Sequence, residues 1–443
     1  MFLEKKVIRM KLMNVKGTFD YMPKEMKLRN KIIGILRESF EEYGYLPIES
    51  PMINYYDLLS YKYDDDAEIL SEIYRLTDQG ERDLGLRFDL TVPFCKIVGL
   101  SKNLSLPFRR YEIGKVFRNG PVKMGRTREF YQCDVDVVGI DNRYIEAEQI
   151  SMAINTYKKL GIDVLVKYNN RKLMSGIILY CGIDKDDVDK VIGIIDKLEK
   201  VSRDELKNML REKQISDDKI DNLFMMFDKR MDEYKEIDLS NCSLEVKELF
   251  GEGVNELEEL NEYLSSLGII DSCIFTPTLA RGLSIYTGVV FEFYDKLKRI
   301  NCAIGGGGRY DKIITNFMDN GMKYPACGLS FGLEPIFVIL KEMEKDDSLI
   351  DIYMVPFGDM KEKVKVLELA NKFRSMGYKV LIEMNNKKIG KCFEYADREK
   401  IKYVMIVGSD EIDSGIYKIK NMSEKKEYSF EIDKLIEYLK DNM

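Results

Sequence analysis

FRRYEIGKVFRNGPVKMGRTREFYQCDVDVVG, residues 108–139, reads as strand, charged loop, strand. Tyr111, Ile113 and Val116 alternate loosely with polar residues, and Cys133, Val135, Val137 and Val138 make a second apolar run. Gly120-Pro121 and Gly125 mark the turn-rich segment between them. Arg109, Arg110, Arg118, Arg126 and Arg128 fall in this stretch and Arg143 just past it. Arg118, Arg126 and Arg128 sit in the loop or at the strand ends that feed it. There a planar guanidinium suits a two-pronged grip on phosphate or carboxylate. Taken alone, the same pattern also describes a solvated hairpin with surface charges.

Upstream, Lys16-Gly-Thr-Phe-Asp20 precedes a long amphipathic helix with Ile32, Ile33, Ile35, Leu36, Phe40 and Tyr43 at helical spacing. It stops at Gly44, and Tyr45 to Pro51 runs extended. Residues 68–100 read as a strand, a turn at Asp78-Gln79-Gly80, and a second strand carrying Arg87 and Asp89 on one face. Downstream, residues 170–265 turn rich in Lys, Asp and Glu at helical period, with a capping box at Ser202 and Glu205, and predict a helical insertion. Strand signal returns at 273–294 and 301–315, and Ala326 to Pro335 leads into a helix. Glu344 to Ser348 has the composition of a linker. Beyond it, strands and helices alternate through 350–443, which predicts a small α/β domain with a mostly parallel sheet.

The chain has 443 residues, enough for two to four domains, and a net charge of −7, so any nucleic-acid contact must use local patches. Histidine is absent. This excludes Ser-His-Asp and Cys-His nucleophile systems and His-ligated metals, and leaves a carboxylate, a shifted lysine or the substrate itself as general base; chemistry run by arginine and a metal-bound nucleotide needs no histidine. Eight scattered cysteines without a C-x-x-C pair point to reduced thiols in the cytoplasm and against a zinc site. The N-terminal MFLEKKVIRMKL lacks the apolar centre of a signal peptide, and no apolar run reaches membrane-spanning length.

Gly305 to Gly308 lacks the Gly-Lys-Ser/Thr ending of a P-loop and reads as a bulge or close backbone approach. In Leu279-Ala-Arg-Gly-Leu-Ser-Ile-Tyr-Thr-Gly-Val-Val-Phe-Glu292, one arginine stands in an otherwise small and apolar run, so it either snorkels or points into a pocket.

Together these segments resemble the histidyl-tRNA synthetases, class II aminoacyl-tRNA synthetases, along nearly the whole chain. Lys16 to Pro51 resembles motif 1, the dimer element. Residues 108–139 resemble motif 2, most like the archaeal and eukaryotic branch (REFYQCD), and 326–336 stand where motif 3 belongs. Residues 279–292 are similar to the histidine-specific signature LxRGLDYYTGxVFE, and Gly307 to Asp311 to the glycine-rich segment. Residues 350–443, with Lys387 to Asp397, resemble the anticodon-binding domain. Asn421-Met-Ser-Glu-Lys425 faintly resembles a class I lysine signature, which a histidine-free chain cannot complete.

The resemblance implies an α+β fold: a class II antiparallel-sheet catalytic domain over 1–344, with a helical insertion at about 170–265, then an α/β anticodon-binding domain over 349–443. It implies activation of histidine by ATP with Mg²⁺ to histidyl-adenylate and transfer to tRNA(His), by a cytoplasmic homodimer. Arg118 and Arg281 become the catalytic pair around the α-phosphate. Asp89, Leu90, Thr91, Arg118, Gln132, Asp136, Arg281, Ile285 and Tyr286 become the histidine-binding set, and Arg118, Arg128, Phe130 and Glu334 the ATP-binding set. No protein metal site is implied. An enzyme supplying charged tRNA(His) gains from not needing its own product, although biased composition also empties a chain of histidine. Four departures stand out: Pro335 for the motif 3 arginine, Gly120 for the acid two past Arg118, and Ser284 and Ile285 for Asp and the first Tyr of the histidine signature. They leave two alternatives. One is a noncatalytic histidine sensor like the regulatory subunit of ATP phosphoribosyltransferase; the other is a paralogue charging another carrier.

Overall fold

The computed structural model describes residues 12–61, 68–101, 103–122, 125–198, 201–281, 285–318, 320–343 and 348–442. Outside these lie the first eleven residues, Gly282 and Ser284 of the histidine signature, and most of the expected linker at 344–348. Contacts divide the chain into two compact units, the larger containing Glu25–Glu342 and the smaller Met343–Met443.

The larger unit is built on the hairpin of the central stretch. Strands Phe108–Phe117 and Glu129–Val138 pair antiparallel over their full length, from Phe108 opposite Val138 to Phe117 opposite Glu129. Ala326–Gly332, Gly305–Arg309, Val289–Asp295 and Val164–Asn170 extend the sheet antiparallel from the second hairpin strand. Short parallel strands, Leu46–Pro47 and Cys273–Phe275, close its edges to make eight strands. Leu28, Ile32, Leu36 and Phe40 of helix Pro23–Glu42 share one core with Val135, Phe291 and Phe331 of the sheet.

The helical insertion comprises Arg171–Tyr180, Val188–Ile195, Arg203–Glu212, Asp217–Phe227 and Leu244–Ser266. Ser202 and Glu205 form the reciprocal cap. The helix at 244–266 crosses that at 171–180 where neither carries bulk: a Cβ on Gly253 would stand 2.7 Å from Leu173 Cα, and one on Gly176 2.8 Å from Phe250 N. Leu173, Ile177, Phe250 and Leu257 belong to the same core as the sheet, so the insertion is packed onto it.

Two expected strands are shorter than read. The segment through Asp89 is strand only over Asp83–Leu86, and a helix begins at Thr91. Asp89 Oδ1 accepts the Val92 N–H at 3.0 Å, and Pro93 sits in the first turn, where its missing N–H costs nothing. The 301–315 signal is strand only at Gly305–Arg309, followed by helix Asp311–Met318.

In the smaller unit, Ile352–Pro356 pairs parallel with Val380–Ile382 and with Tyr403–Val407. Ile416–Asn421 and Lys426–Glu431 then add an antiparallel hairpin, so the sheet is mixed rather than mostly parallel. The hairpin's charged, alternating sequence hides it, and Asn421 to Lys425 is its turn region, with Lys425 at φ +56°. Ile352 and Met354 face one core, Tyr353 and Val355 another, so both faces are covered. No helix among the described residues is long and apolar enough to cross a membrane.

Candidate active site

Strand periodicity lays out the floor of the site. Gln132, Asp134 and Asp136 alternate along one strand and therefore share a face. Directly opposite them stand Gly114, Glu112 and Arg110 on one side. Gly332, Ser330 and Gly328 stand on the other, with Gly306 and Gly308 one strand further. Side chains in such register project together. The result is a polar floor with glycine gaps.

The gaps are occupied by side chains from elsewhere. A Cβ on Gly306 would overlap the Arg281 guanidinium, standing 2.9 Å from its Cζ. One on Gly328 would overlap the Asp136 carboxylate, 3.1 Å from Cγ, and one on Gly114 would overlap Arg87. The four-glycine run is thus no phosphate loop but a strand with the expected close backbone approach, where a Cβ on Gly307 would overlap the Gly328 carbonyl oxygen, while Gly306 seats Arg281. Gly306→Ala is expected to displace that guanidinium, and to press on the Phe291 carbonyl 2.8 Å from the new Cβ, so the rate of the reaction this site supports should fall at least about tenfold, as misplacement of a charge-stabilising group does; steady-state kinetics check it.

Above the floor lies a cavity of about 170 Å³. This is below the roughly 300–1,000 Å³ of sites for drug-sized ligands, and suits an amino acid. Asp89, Thr91, Arg118, Gln132, Asp136, Arg281, Ile285 and Tyr286 all line it, as do Asp134, Tyr310 and Ser330. Arg118 is positioned by donating Nε to the Phe88 carbonyl at 3.0 Å and by lying over the Phe130 ring, 5.2 Å from its centroid. Arg281 donates to the Phe291 carbonyl and lies 3.5 Å from Glu292, with its own backbone at φ +44°. A non-glycine residue held in that region stores strain of the kind functional sites carry.

Leu90 takes part differently: its side chain is buried and its carbonyl accepts from Arg110 Nη2 at 3.2 Å. Glu334 is also outside the lining. Its carboxylate pairs with Arg29 at 2.8 Å and accepts from the Tyr131 N–H. Arg128 bonds the Gly120 carbonyl through Nε, and its N–H reaches the Gly17 carbonyl at 2.8 Å, which docks the Lys16–Asp20 segment on the loop. Arg87 pairs with Glu112 at 2.7 Å, not with Asp89, and both are buried.

Two departures acquire a structural meaning. The space a side chain at Gly120 would take is filled by the buried carboxylate of Glu72, 2.8 Å from the ideal Cβ to Cδ, and Glu72 pairs with Arg126 at 3.0 Å. Pro335 sits in the first turn of helix Leu333–Met343 and lines a second cavity of about 280 Å³ with Arg299.

Electrostatically the pocket is acidic, and its floor carboxylates are buried. Arg110, fully buried, lies 2.6 Å from Asp136 Oδ2, 3.9 Å from Glu112 and 4.4 Å from the Phe94 ring centroid. The Asp136 contact is a close ion pair that covers Oδ2. Tyr310 donates its hydroxyl to the other oxygen. Burial raises the Asp136 pKa more than Arg110 and the Tyr310 bond lower it. Burial pushes Asp134 up to about 7, Arg110 pulls it back, and Asp136 adds to the rise. Gln132 Oε1 and Asp134 Oδ1 are buried acceptors without donors. Such groups are costly unless a ligand supplies the missing N–H bonds.

Sequence reading left Arg110, Asp134, Tyr310, Gly306 and Gly328 outside the site. The signal for Asp134 was present, since residues two apart on a strand share a face; the others depend on cross-strand register.

A sheet of this topology, a hairpin arginine facing a second arginine across an amino-acid-sized pocket, and an appended α/β unit define a class II aminoacyl-tRNA synthetase with an anticodon-binding domain. The histidyl-tRNA synthetase profile matches residues 17–336 and the anticodon binding domain profile residues 351–442. The chain is 43% identical over 439 residues to histidine–tRNA ligase 1 of Bacillus cereus, covering 97% of this chain and 100% of the relative. It is 34% identical over 442 residues to the histidine–tRNA ligase of Clostridium tetani, covering 96% and 97%. The crystal structure of histidyl-tRNA synthetase from Nostoc sp. PCC 7120 superposes with TM-score 0.83 at 27% identity, covering 98% of this chain and 100% of that one. The chain belongs to the histidyl-tRNA synthetase family.

Proposed function

We propose that the protein activates histidine with ATP and transfers it to tRNA(His), as a histidine–tRNA ligase. The observation that carries this reading is a row of polar acceptors on the floor of an amino-acid-sized pocket, in which Gln132 Oε1 and Asp134 Oδ1 lack donors and Asp136 stands beside them, paired with Arg110. A ligand bearing an imidazole N–H and an ammonium supplies donors to such a row. An apolar analogue leaves the acceptors unpaired and is rejected.

The chemistry asks for placement and charge, not a side-chain nucleophile. The histidine carboxylate attacks the α-phosphorus in line, and pyrophosphate leaves. Arg118 and Arg281 reach the same cavity from different elements. Held by Phe88 and Phe130 on one side and Phe291 and Glu292 on the other, they offer preorganised positive charge to the phosphate oxygens as charge builds there. Phe130 is the adenine-stacking surface in this reading, with Arg128 nearby on the loop. The Glu72 carboxylate takes the place of the acid absent at Gly120. Glu334 acts through the fold, holding Arg29 and the start of the second hairpin strand. Mg²⁺ neutralises phosphate charge when bound, mainly on the nucleotide's own oxygens. The domain division at 344–349, a cytoplasmic location and a two-fold dimer through the Lys16–Pro51 element complete the proposal.

A histidine-sensing reading has a fold neighbour. The ATP phosphoribosyltransferase regulatory subunit/histidyl-tRNA synthetase of Bacillus halodurans superposes with TM-score 0.74, but at 20% identity this concerns the fold alone. The anticodon-binding match at 351–442 favours the ligase. Charging of a tRNA(His) transcript by the full chain tests it: histidyl-tRNA should accumulate with that transcript and not with one bearing another anticodon and acceptor end.

A further inference from the structure

We propose that Asp134 is a specificity-determining residue that serves as counter-ion to the α-ammonium of the bound amino acid, alongside the Asp89–Thr91 segment. The proposal deepens the ligase reading and rests on it.

Three observations carry it. Asp134 lines the pocket and is 4% exposed, and its Oδ1 has no donor. Its neighbour Asp136 already has a cation 2.6 Å away in Arg110 and a hydroxyl from Tyr310. Glu112, opposite Asp134 across the hairpin, is likewise matched by Arg87 at 2.7 Å. Asp134 has the Ser330 hydroxyl and a share of Arg110, but among the floor carboxylates it is the one without a direct ion pair of its own. A buried carboxylate of this kind stays ionised only when a cation joins it. At neutral pH the permanently cationic group of an amino acid is its α-ammonium; the imidazole of histidine is largely neutral.

Position agrees with this role. Ser330, which offers its hydroxyl to Asp134, stands opposite on the next strand, and beyond it Gly306 seats the Arg281 guanidinium, so Asp134 borders the part of the cavity that Arg281 enters. The charged and titratable groups facing it are Arg110 and Glu112 from the first hairpin strand, Asp136 from its own, Asp89, and Tyr286 with Arg281 from the signature segment. Burial holds the empty-site carboxyl near neutrality, at about 7. Arrival of the ammonium expels its proton to solvent, and the ammonium keeps all of its own. Binding is then coupled to proton release around pH 7.

The test compares the full-length protein with Asp134→Asn, using histidine and its α-hydroxy analogue, imidazole-lactate, as probes. In the variant the KM for histidine in pyrophosphate exchange should rise roughly 10- to 100-fold, with kcat within about threefold, as expected for losing a hydrogen bond to a charged group. Affinity for the α-hydroxy analogue, by competition, should be unchanged. Calorimetry of histidine binding in two buffers of different ionisation enthalpy should show proton release at pH 7 for the unmodified protein, and clearly less for the variant, in which only Asp136 is left with a raised pKa. Equal weakening of histidine and the analogue places Asp134 on the ring and overturns the proposal. So does an unchanged KM, or histidine binding to the unmodified protein without proton release; this last result stands even if the variant fails to fold. Absence of any histidine binding by the unmodified protein defeats the ligase reading itself, a distinct result.

Discussion

Replacing Arg281 with alanine lowers histidine-dependent ATP–pyrophosphate exchange by roughly 100- to 1,000-fold in kcat, the loss seen when one preorganised charge-stabilising donor is removed. The size follows from where the guanidinium is held. It is a quarter exposed, seated over Gly306, fixed by the Phe291 carbonyl, and aimed at the cavity that Arg118 shares. Alanine keeps the positive φ of the backbone as arginine does, so the loss reports the guanidinium and not relief of strain. Arg281→Lys recovers only part of the rate, because a point charge on a flexible stem does not reproduce a planar fork. Thermal unfolding of both variants should shift little, since the Glu292 contact at 3.5 Å is partly exposed and worth little. A rate loss matched by a large fall in stability would assign Arg281 to the fold.

Arg110→Met has the opposite signature, a large loss of stability. Arg110 is fully buried and is the cation between Asp136, Glu112 and the Phe94 ring. Removing one partner of a buried pair costs about 3–5 kcal/mol, because the other charge is left without compensation. Chemical denaturation measures this directly. Its loss also removes the attraction that lowers the pKa of Asp134 and Asp136, so both carboxyls rise further and are more fully protonated at neutral pH. Histidine binding weakens with them, and the KM increase should shrink as pH is raised. Adding Asp136→Leu to Arg110→Met should restore much of the stability and none of the histidine binding, which separates the fold contribution from recognition.

These predictions show where sequence reading reached and where it stopped. The hairpin was legible because its apolar residues alternate and its turn residues cluster. Arg118, Gln132, Asp136, Arg281 and Tyr286 were legible through resemblance, and the structure brings all five to one cavity. Arg110 was visible only as a charge in a charged stretch. That it is buried and matched to Asp136 depends on the register Arg110 opposite Asp136, which no local pattern encodes. The segment Arg87-Phe88-Asp89-Leu90 alternates like a strand, yet Asp89 caps a helix whose first turn contains Pro93. Periodicity over four residues is too short to choose, and the proline was the better guide. Likewise the parallel strands at 352 and 403 were plain apolar runs, whereas in the 416–431 hairpin lysines and glutamates interrupt the apolar residues. The bare strand Gly305–Gly308 looked like an irregularity because what needs its bareness, the neighbouring backbone and, at Gly306, Arg281, comes from distant segments.

Pyrophosphate exchange measured separately with each of the twenty amino acids asks whether this pocket both selects histidine and supports adenylate formation with Pro335 in the motif 3 position. Exchange driven by histidine at least about 100-fold above any other amino acid is the predicted result, in line with a site whose polar acceptors must be satisfied. Exchange driven best by another amino acid, or tight histidine binding by calorimetry with no exchange, would contradict it.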